Sequence, residues 1–195
     1  MDENQLADGK YKALREKRDI AIFGACIYEL TDQPTFVQMN NAESPDAFLL
    51  QRSEVEKTTI NIAPVEITFY GVNKFGSPKE SLFERLDKPG GKFKEKLPPK
   101  YWLLIHIGVE LKLNSDHLKI ANYLKKINAK FGVFSIQEIS KNSKNDTLYR
   151  FIKYNPEYVY KDINIGEVFK RLQNSDIPCL INQKRGSILK LKEQQ

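Results

Sequence analysis

Two carboxylates stand in segments whose other residues have the composition of buried strands. Asp46 lies near the start of SPDAFLL (residues 44–50), and Glu66 lies in the middle of PVEITFY (residues 64–70). Burying an unpaired carboxylate is strongly unfavourable, so two such positions need an explanation. Twenty positions separate residues 46 and 66, which is enough to place them side by side on adjacent strands. Neighbouring carboxylates repel each other, and a divalent cation such as Mg²⁺, which binds carboxylate oxygens and substrate phosphates, relieves that repulsion.

The segments that flank Asp46 and Glu66 predict one helix and several strands. The pattern favours a helix over 7–30, although its β-branched residues leave a strand reading of the second half open. TFVQMN and PDAFLL then predict two short strands. TTINIAPVEITFYG predicts a further strand in which Pro64 marks a kink, a bulge or an edge position.

The rest of the chain predicts alternating helices and strands. In SPKESLFERL, Ser77 is the expected N-cap, Pro78 the first helical residue and Glu80 the acid three positions after the cap. YWLLIHIGVEL predicts a buried strand, and SDHLKIANYLKKINAKFG an amphipathic helix. VFSIQEI and TLYRFIKY predict strands, and NIGEVFKRLQNSD a short helix. This order indicates an α/β or α+β protein built on a mixed sheet.

The motif and the order of elements together resemble the PD-(D/E)XK nuclease superfamily. SPDAFLL…APVEIT is similar to its aspartate after a proline and its acid-x-lysine triplet, and the order helix, strands, helix, strand matches over residues 13–107. The resemblance implies an α/β fold, a restriction-endonuclease-like mixed β-sheet flanked by helices. We expect one domain over 1–195, with its core at about 10–132 and a smaller C-terminal α/β extension at about 133–195.

The resemblance also implies roles for individual residues. Asp46 and Glu66 would bind the metal, Mg²⁺ or Mn²⁺, and Glu16 would match the glutamate that some members carry on the first helix. For each acid a structural interpretation stays open. Asp46 would then be a turn residue with an Asx hydrogen bond, and Glu66 a solvent-facing residue of an edge strand opposite a lysine. Glu16 would be a helix residue kept for solvation and local ion pairs with neighbouring lysines.

The chain departs from the motif at one position. The triplet reads Glu66, Ile67, Thr68, so threonine stands where the family has the lysine that orients water and stabilises charge on the phosphate. Either a lysine from elsewhere serves this purpose, with candidates at positions 57, 74 and Lys79, or the activity has been lost. The expected function is a metal-dependent nuclease acting on DNA or RNA. The alternative is an inactive nuclease-like domain that binds nucleic acid or a protein partner.

Composition sets the broader expectations. With 41% hydrophobic and 29% charged residues the chain is globular, and no apolar run approaches the roughly 20 residues that span a bilayer. The polar N-terminus lacks a signal sequence, so we expect a cytoplasmic protein without a membrane segment. The net charge of +6 permits a nucleic-acid partner, and a homodimer is compatible with nuclease ancestry.

The remaining reactive side chains favour structural interpretations. Cys26 and Cys179 lie in apolar settings that suit reduced core thiols, and His106 lies in an apolar strand as a hydrogen-bonded core residue. His117 is expected near the surface at a helix start. LYRFIKYNPEYVYKD carries tyrosines beside cations, which suits packing on the sheet or stacking of single-stranded bases.

Overall fold

Seven strands form one mixed sheet in which they follow each other in chain order. The computed structural model describes residues 12–40, 44–52, 59–72, 78–94, 97–108, 111, 116–143 and 146–174. The elements are α1 (Lys12–Thr31), β1 (Thr35–Met39), β2 (Ala47–Arg52), β3 (Ile60–Tyr70), α2 (Leu82–Asp87), β4 (Trp102–Ile107), α3 (Asp116–Lys126), β5 (Gly132–Ser143), β6 (Asp146–Asn155), β7 (Val159–Asn164) and α4 (Ile165–Asn174). The α/β class expected from the sequence is confirmed.

The relative direction of neighbouring strands changes from one edge of the sheet to the other. β1, β2 and β3 are antiparallel, β3, β4 and β5 are parallel, and β6 and β7 are again antiparallel. The parallel pairs need crossover connections, which α2 and α3 supply. The strands β5 to β7, predicted as part of an extension, continue the same sheet.

Helices cover both faces of the sheet, and each face has its own core. α1 and α4 pack on the face that carries Val65 and Leu104, with Phe23 and Phe151 in its centre. α2 and α3 pack on the opposite face, which carries Leu103, Ile105 and neighbouring apolar residues. Side chains alternate along a strand, so Glu66, between Val65 and Ile67, belongs to the face of α2 and α3.

α1 is helical throughout, so the strand alternative for its second half is wrong. Ile20, Phe23 and Ile27 recur at helical spacing and are all buried against the sheet, which outweighs the β-branched propensity. Leu14, expected on the buried stripe, is 51% exposed. Gly24 allows β1 to approach closely, because a Cβ at this position would lie 2.8 Å from Cγ1 of Val37.

α2 begins four residues later than the predicted cap implies. Ser81 is the N-cap: its hydroxyl accepts from the backbone N–H of Glu84, and the Glu84 carboxylate accepts from the N–H of Ser81. Glu80 precedes the helix and pairs with Lys88 at 2.7 Å. The predicted cap at position 77 lies outside the described residues. The capping chemistry was recognised correctly, and its register along the chain was wrong.

Pro64 lies inside one continuous strand. Residues Ile60 to Val65 pair with β2, and pairing with β4 begins only at Val65. Within the described part of the chain, Pro64 therefore pairs with β2 on one side and has no strand neighbour on the other. A proline is tolerated at such a one-sided position, because it has no N–H to donate to a second neighbour. β3 as a whole is an inner strand between β2 and β4, so the edge interpretation holds only locally, at Pro64.

The C-terminal half holds two differences from expectation. On α3, His117 is buried with Ile120 and Leu124, whereas Leu118 is 60% exposed although it is apolar. The tyrosine-rich segment forms the hairpin β6–β7. Tyr149 and Tyr154 of β6 are buried in the cores on opposite faces of the sheet, and the tyrosines of β7 and the turn are exposed. Cys26 is a buried free thiol as predicted, and position 179 lies outside the described residues.

Candidate functional site

Asp46 immediately precedes β2, and its side chain makes a hydrogen bond to β3 just beyond the last backbone pair of the two strands. Ala47 pairs with Val65 in antiparallel register, so Asp46 occupies the next position, opposite Glu66. Its Oδ2 accepts a hydrogen bond from the backbone N–H of Ile67 at 2.7 Å. The side chain thus bonds to the neighbouring strand instead of closing a local Asx turn. The charge of Glu66 contributes to the raised pKa of Asp46, so the two carboxylates lie near each other.

Glu66 is buried and held by two donors. Only 7% of the residue is exposed, which excludes the solvent-facing interpretation. The hydroxyl of Ser44 donates to Oε1, and the ammonium of Lys92 lies 3.4 Å from Oε2. These contacts fix the carboxylate toward the place where the chain enters β2.

Glu16 brings a third carboxylate from α1 near Asp46. Its side chain is 12% exposed and forms an i,i+4 ion pair with Lys12 at 3.5 Å. Burial raises the pKa of Glu16, so the residue is only partly solvated, while its ion pair with Lys12 is the local pair that the structural interpretation expects. Lys12 opposes that rise, and the charge of Asp46 adds to it. The interaction with Asp46 shows that the helix start and the β2 entrance lie close together.

The electrostatics of Asp46 match this arrangement. Burial is the main cause of its raised pKa; the hydrogen bond from Ile67 opposes the rise, and the negative charge of Glu66 adds to it. Lys12 and Lys92 lower the pKa, but less than burial raises it. We call Glu16, Asp46 and Glu66 the carboxylate cluster. Because its carboxylates outnumber these two cations, added positive charge would stabilise it.

Lys92 is the functional candidate that the sequence interpretation missed. It follows Gly91, whose missing side chain lets the loop cross the end of α2: a Cβ there would lie 2.5 Å from the carbonyl oxygen of Leu86. Phe93, only 4% exposed, anchors the other side, and its N–H donates to the same carbonyl at 2.9 Å. No motif spacing marks this lysine, since its position depends on α2; the only signal was the glycine pair before it.

The other predicted site residues have different surroundings. Thr68 is partly buried two residues beyond Glu66 on the same face of β3, opposite Ile105 of β4. Lys79 is exposed ahead of α2. The lysines predicted at positions 57 and 74 lie outside the described residues.

The donor set of the cluster suits a hard cation. Across the residues whose placement is described, no group of three or more His, Cys, Asp or Glu side chains is arranged to hold a metal ion. Mg²⁺ needs fewer protein ligands, because it is commonly bound by one or two carboxylates together with waters and substrate phosphates. A magnesium role for Asp46 and Glu66 would therefore rest on two carboxylates rather than three.

A second polar group lies buried on the α1 face. Nδ1 of His106 lies 2.8 Å from Oδ2 of Asp19, and neither residue is more than 5% exposed. Arg18 donates from Nε and Nη2 to the other oxygen of Asp19. His106 is therefore the hydrogen-bonded core histidine that the sequence predicts.

Tyr154 links His117 to the sheet. Its hydroxyl lies 2.7 Å from Nδ1 of His117 and 2.9 Å from the hydroxyl of Ser135. This contact explains why His117 is buried instead of lying at the surface. Burial lowers the pKa of His117, which favours the neutral imidazole.

In the part of the chain that the structure describes, no helix has the length and apolar character needed to cross a membrane. Comparisons with protein-family models, with curated proteins and with solved structures found no match to this chain.

Proposed function

We propose that the protein is a metal-dependent nuclease that hydrolyses phosphodiester bonds of DNA or RNA at the carboxylate cluster. The observation that carries the proposal is the convergence of Glu16, Asp46 and Glu66 from three separate elements, beside Lys92. Burial raises the pKa of both Glu16 and Asp46, and carboxylates with raised pKa values concentrate at functional sites.

Asp46 and Glu66 would hold Mg²⁺ or Mn²⁺. The bound ion would supply charge stabilisation for the phosphate and a more acidic water. The chain's own residues do the positioning. The N–H of Ile67 and the hydroxyl of Ser44 orient the two carboxylates, and Glu16 accepts a proton or a hydrogen bond from water on the α1 side.

Lys92 is proposed to perform the task of the missing motif lysine. Its ammonium lies 3.4 Å from Glu66, the acid of the triplet, although it comes from the loop after α2 rather than from β3. An ammonium there can donate to a phosphate oxygen or to the attacking water, which the hydroxyl of Thr68 can also contact. A threonine at the motif position is then compatible with catalysis.

The architecture supports the same proposal. The observed order α1, β1 to β3, α2, β4 is the order helix, strands, helix, strand implied by the resemblance to the PD-(D/E)XK superfamily. The net charge of +6 favours binding of a polyanion.

A catalytically inactive domain that binds nucleic acid or a protein partner is the second candidate. Thr68 in place of the motif lysine favours it, because many phosphodiesterase sites lose activity when their charged donor is lost. The first candidate predicts cleavage of a nucleic acid, and the second predicts binding without cleavage.

The test is cleavage of plasmid, single-stranded DNA and RNA in the presence of Mg²⁺, Mn²⁺ or EDTA. We expect cleavage that EDTA abolishes, and Asp46→Asn, Glu66→Gln and Lys92→Met should each lower the rate by about 100-fold or more. Glu157→Gln, at an exposed turn residue between β6 and β7, is the matched carboxylate control and should retain the rate. Cleavage that survives both Asp46→Asn and Glu66→Gln would remove the proposed site. Folded but inactive wild-type protein with every metal would favour the binding domain.

A further inference from the structure

A cleft of about 540 Å³ opens on the face of the sheet that α1 and α4 cover. Its lining includes Arg18 and Ile22 of α1, Glu138 of β5, Tyr149 of β6, and Phe169 and Lys170 of α4. Its volume is in the range of sites for small organic ligands. The carboxylate cluster uses none of these residues.

Arg18 is held in place at the cleft by buried groups. Asp19, which is fully buried, accepts from its Nε and Nη2, and His106 fixes the other oxygen of Asp19. The Arg18 side chain is 39% exposed, so the guanidinium is both anchored and accessible. Such pre-organisation suits recognition of a phosphate, because little side-chain entropy is lost on binding.

Glu138 supplies an acceptor in the same cleft. The hydroxyl of Tyr149, a residue only 4% exposed, donates to Oε2 of Glu138 at 3.2 Å. Burial, followed by the charge of Glu138, raises the pKa of Tyr149, so its hydroxyl stays protonated and keeps donating. The carboxylate is thereby oriented and retains capacity for further donors from a ligand.

Phe169 and Lys170 make the α4 side both aromatic and basic. Phe169 is 40% exposed, although Ile165, one turn earlier, is 4% exposed in the core. An exposed aromatic ring offers a stacking surface for a planar ligand. Lys170, also exposed, adds a second cation to the cleft.

We propose that this cleft binds a nucleoside monophosphate. Arg18 and Lys170 pair with the phosphate, Phe169 stacks on the base, and Glu138 accepts from N–H groups of the base. The combination of cations, aromatic ring and oriented carboxylate within one cleft fits a ligand that carries both an anionic group and a planar ring with hydrogen-bond donors. The site is separate from the carboxylate cluster, so the proposal does not depend on nuclease activity.

The test is calorimetric titration of the full-length protein, without added metal, with GMP as the probe and with guanosine and inorganic phosphate as separate arms. We expect saturable binding of GMP at concentrations up to about 1 mM, and weaker binding of each half alone. Phe169→Ser and Lys170→Gln change exposed residues and should each weaken GMP binding by about 5-fold or more. Arg18→Lys keeps the charge but loses the planar fork, and should weaken binding as well.

Lys125→Gln, at an exposed lysine of α3 on the other face, is the control and should leave the GMP affinity unchanged. The proposal is overturned if GMP does not bind, or if phosphate alone binds as tightly as GMP. It is equally overturned if GMP affinity is the same in wild type, Phe169→Ser and Lys170→Gln.

Discussion

At the scale of single residues, the carboxylate cluster is expected to lower the stability of the fold. The pKa of Asp46 is raised mainly by burial, so the folded state binds its proton more tightly than the unfolded chain does. Charged Asp46 therefore destabilises the protein at neutral pH, and this effect disappears as the pH falls through the raised pKa toward the unfolded value near about 3.9. A carboxylate that stabilises the fold would instead have a lowered pKa in the folded state.

Asp46→Asn should accordingly raise the free energy of unfolding at pH 7 by about 0.5–1 kcal/mol in metal-free buffer. The amide oxygen can still accept from Ile67, while the repulsion from Glu66 is removed. Urea unfolding of wild type and variant from pH 7 to pH 4 measures this difference, which should shrink toward the acid end. A variant that is less stable than wild type at pH 7 would identify Asp46 as a structural residue.

The sequence pattern predicts the three carboxylates of the cluster but does not predict the lysine beside them. Asp46, Glu66 and Glu16 lie in segments whose secondary structure follows from local pattern, so their convergence could be anticipated. Lys92 could not be, because its position depends on how Gly91 and Phe93 pack against the end of α2. The same limit applies to Asp19, whose partner His106 lies 87 residues away.

At the scale of elements, the close contact between α1 and β1 is expected to depend on Gly24. In an exposed helix, Gly→Ala is worth about 1 kcal/mol in favour of alanine. Here the added methyl would lie 2.8 Å from Cγ1 of Val37, so we expect Gly24→Ala to destabilise the protein by about 1–3 kcal/mol.

Val37→Ala removes the clashing methyl groups, and Val37 is 37% exposed, so the single change should be mild. The double variant should recover most of the loss, giving a coupling energy of about 1 kcal/mol or more in a double-mutant cycle measured by urea unfolding. If the effects of the two substitutions on the free energy of unfolding are additive, the contact between positions 24 and 37 does not limit stability.

Elements were predicted best where one local rule dominates. β2, β4 and α4 follow from apolar pattern alone, and the chemistry of the α2 cap was recognisable although its register was not. The strand predicted from TLYRFIKY is β6, whereas β7 had no prediction because the tyrosines and cations continue across the turn without a break in pattern. The buried face of α3 was misjudged because Tyr154 of β6 draws His117 inward, a tertiary contact that no helical periodicity records.

At the scale of the whole molecule, the net charge of +6 should control the affinity for nucleic acid. If three phosphates of a single strand are contacted, log K falls with a slope of about −2 against log salt, so affinity should drop roughly 15-fold between 50 and 200 mM salt. Fluorescence anisotropy with a labelled oligonucleotide and Ca²⁺ in place of Mg²⁺ measures this dependence. Binding that does not change over this salt range would contradict a phosphate-based interface.

The central claim is that the carboxylate cluster binds a divalent cation, and direct titration with Mn²⁺ tests it without any need for a substrate. The account predicts saturable binding to the wild-type protein that is lost in the Asp46→Asn/Glu66→Gln double variant and retained in Glu157→Gln. Circular dichroism and urea unfolding show that each variant is folded. No binding to wild type, or equal binding to the double variant, would contradict the proposed metal site.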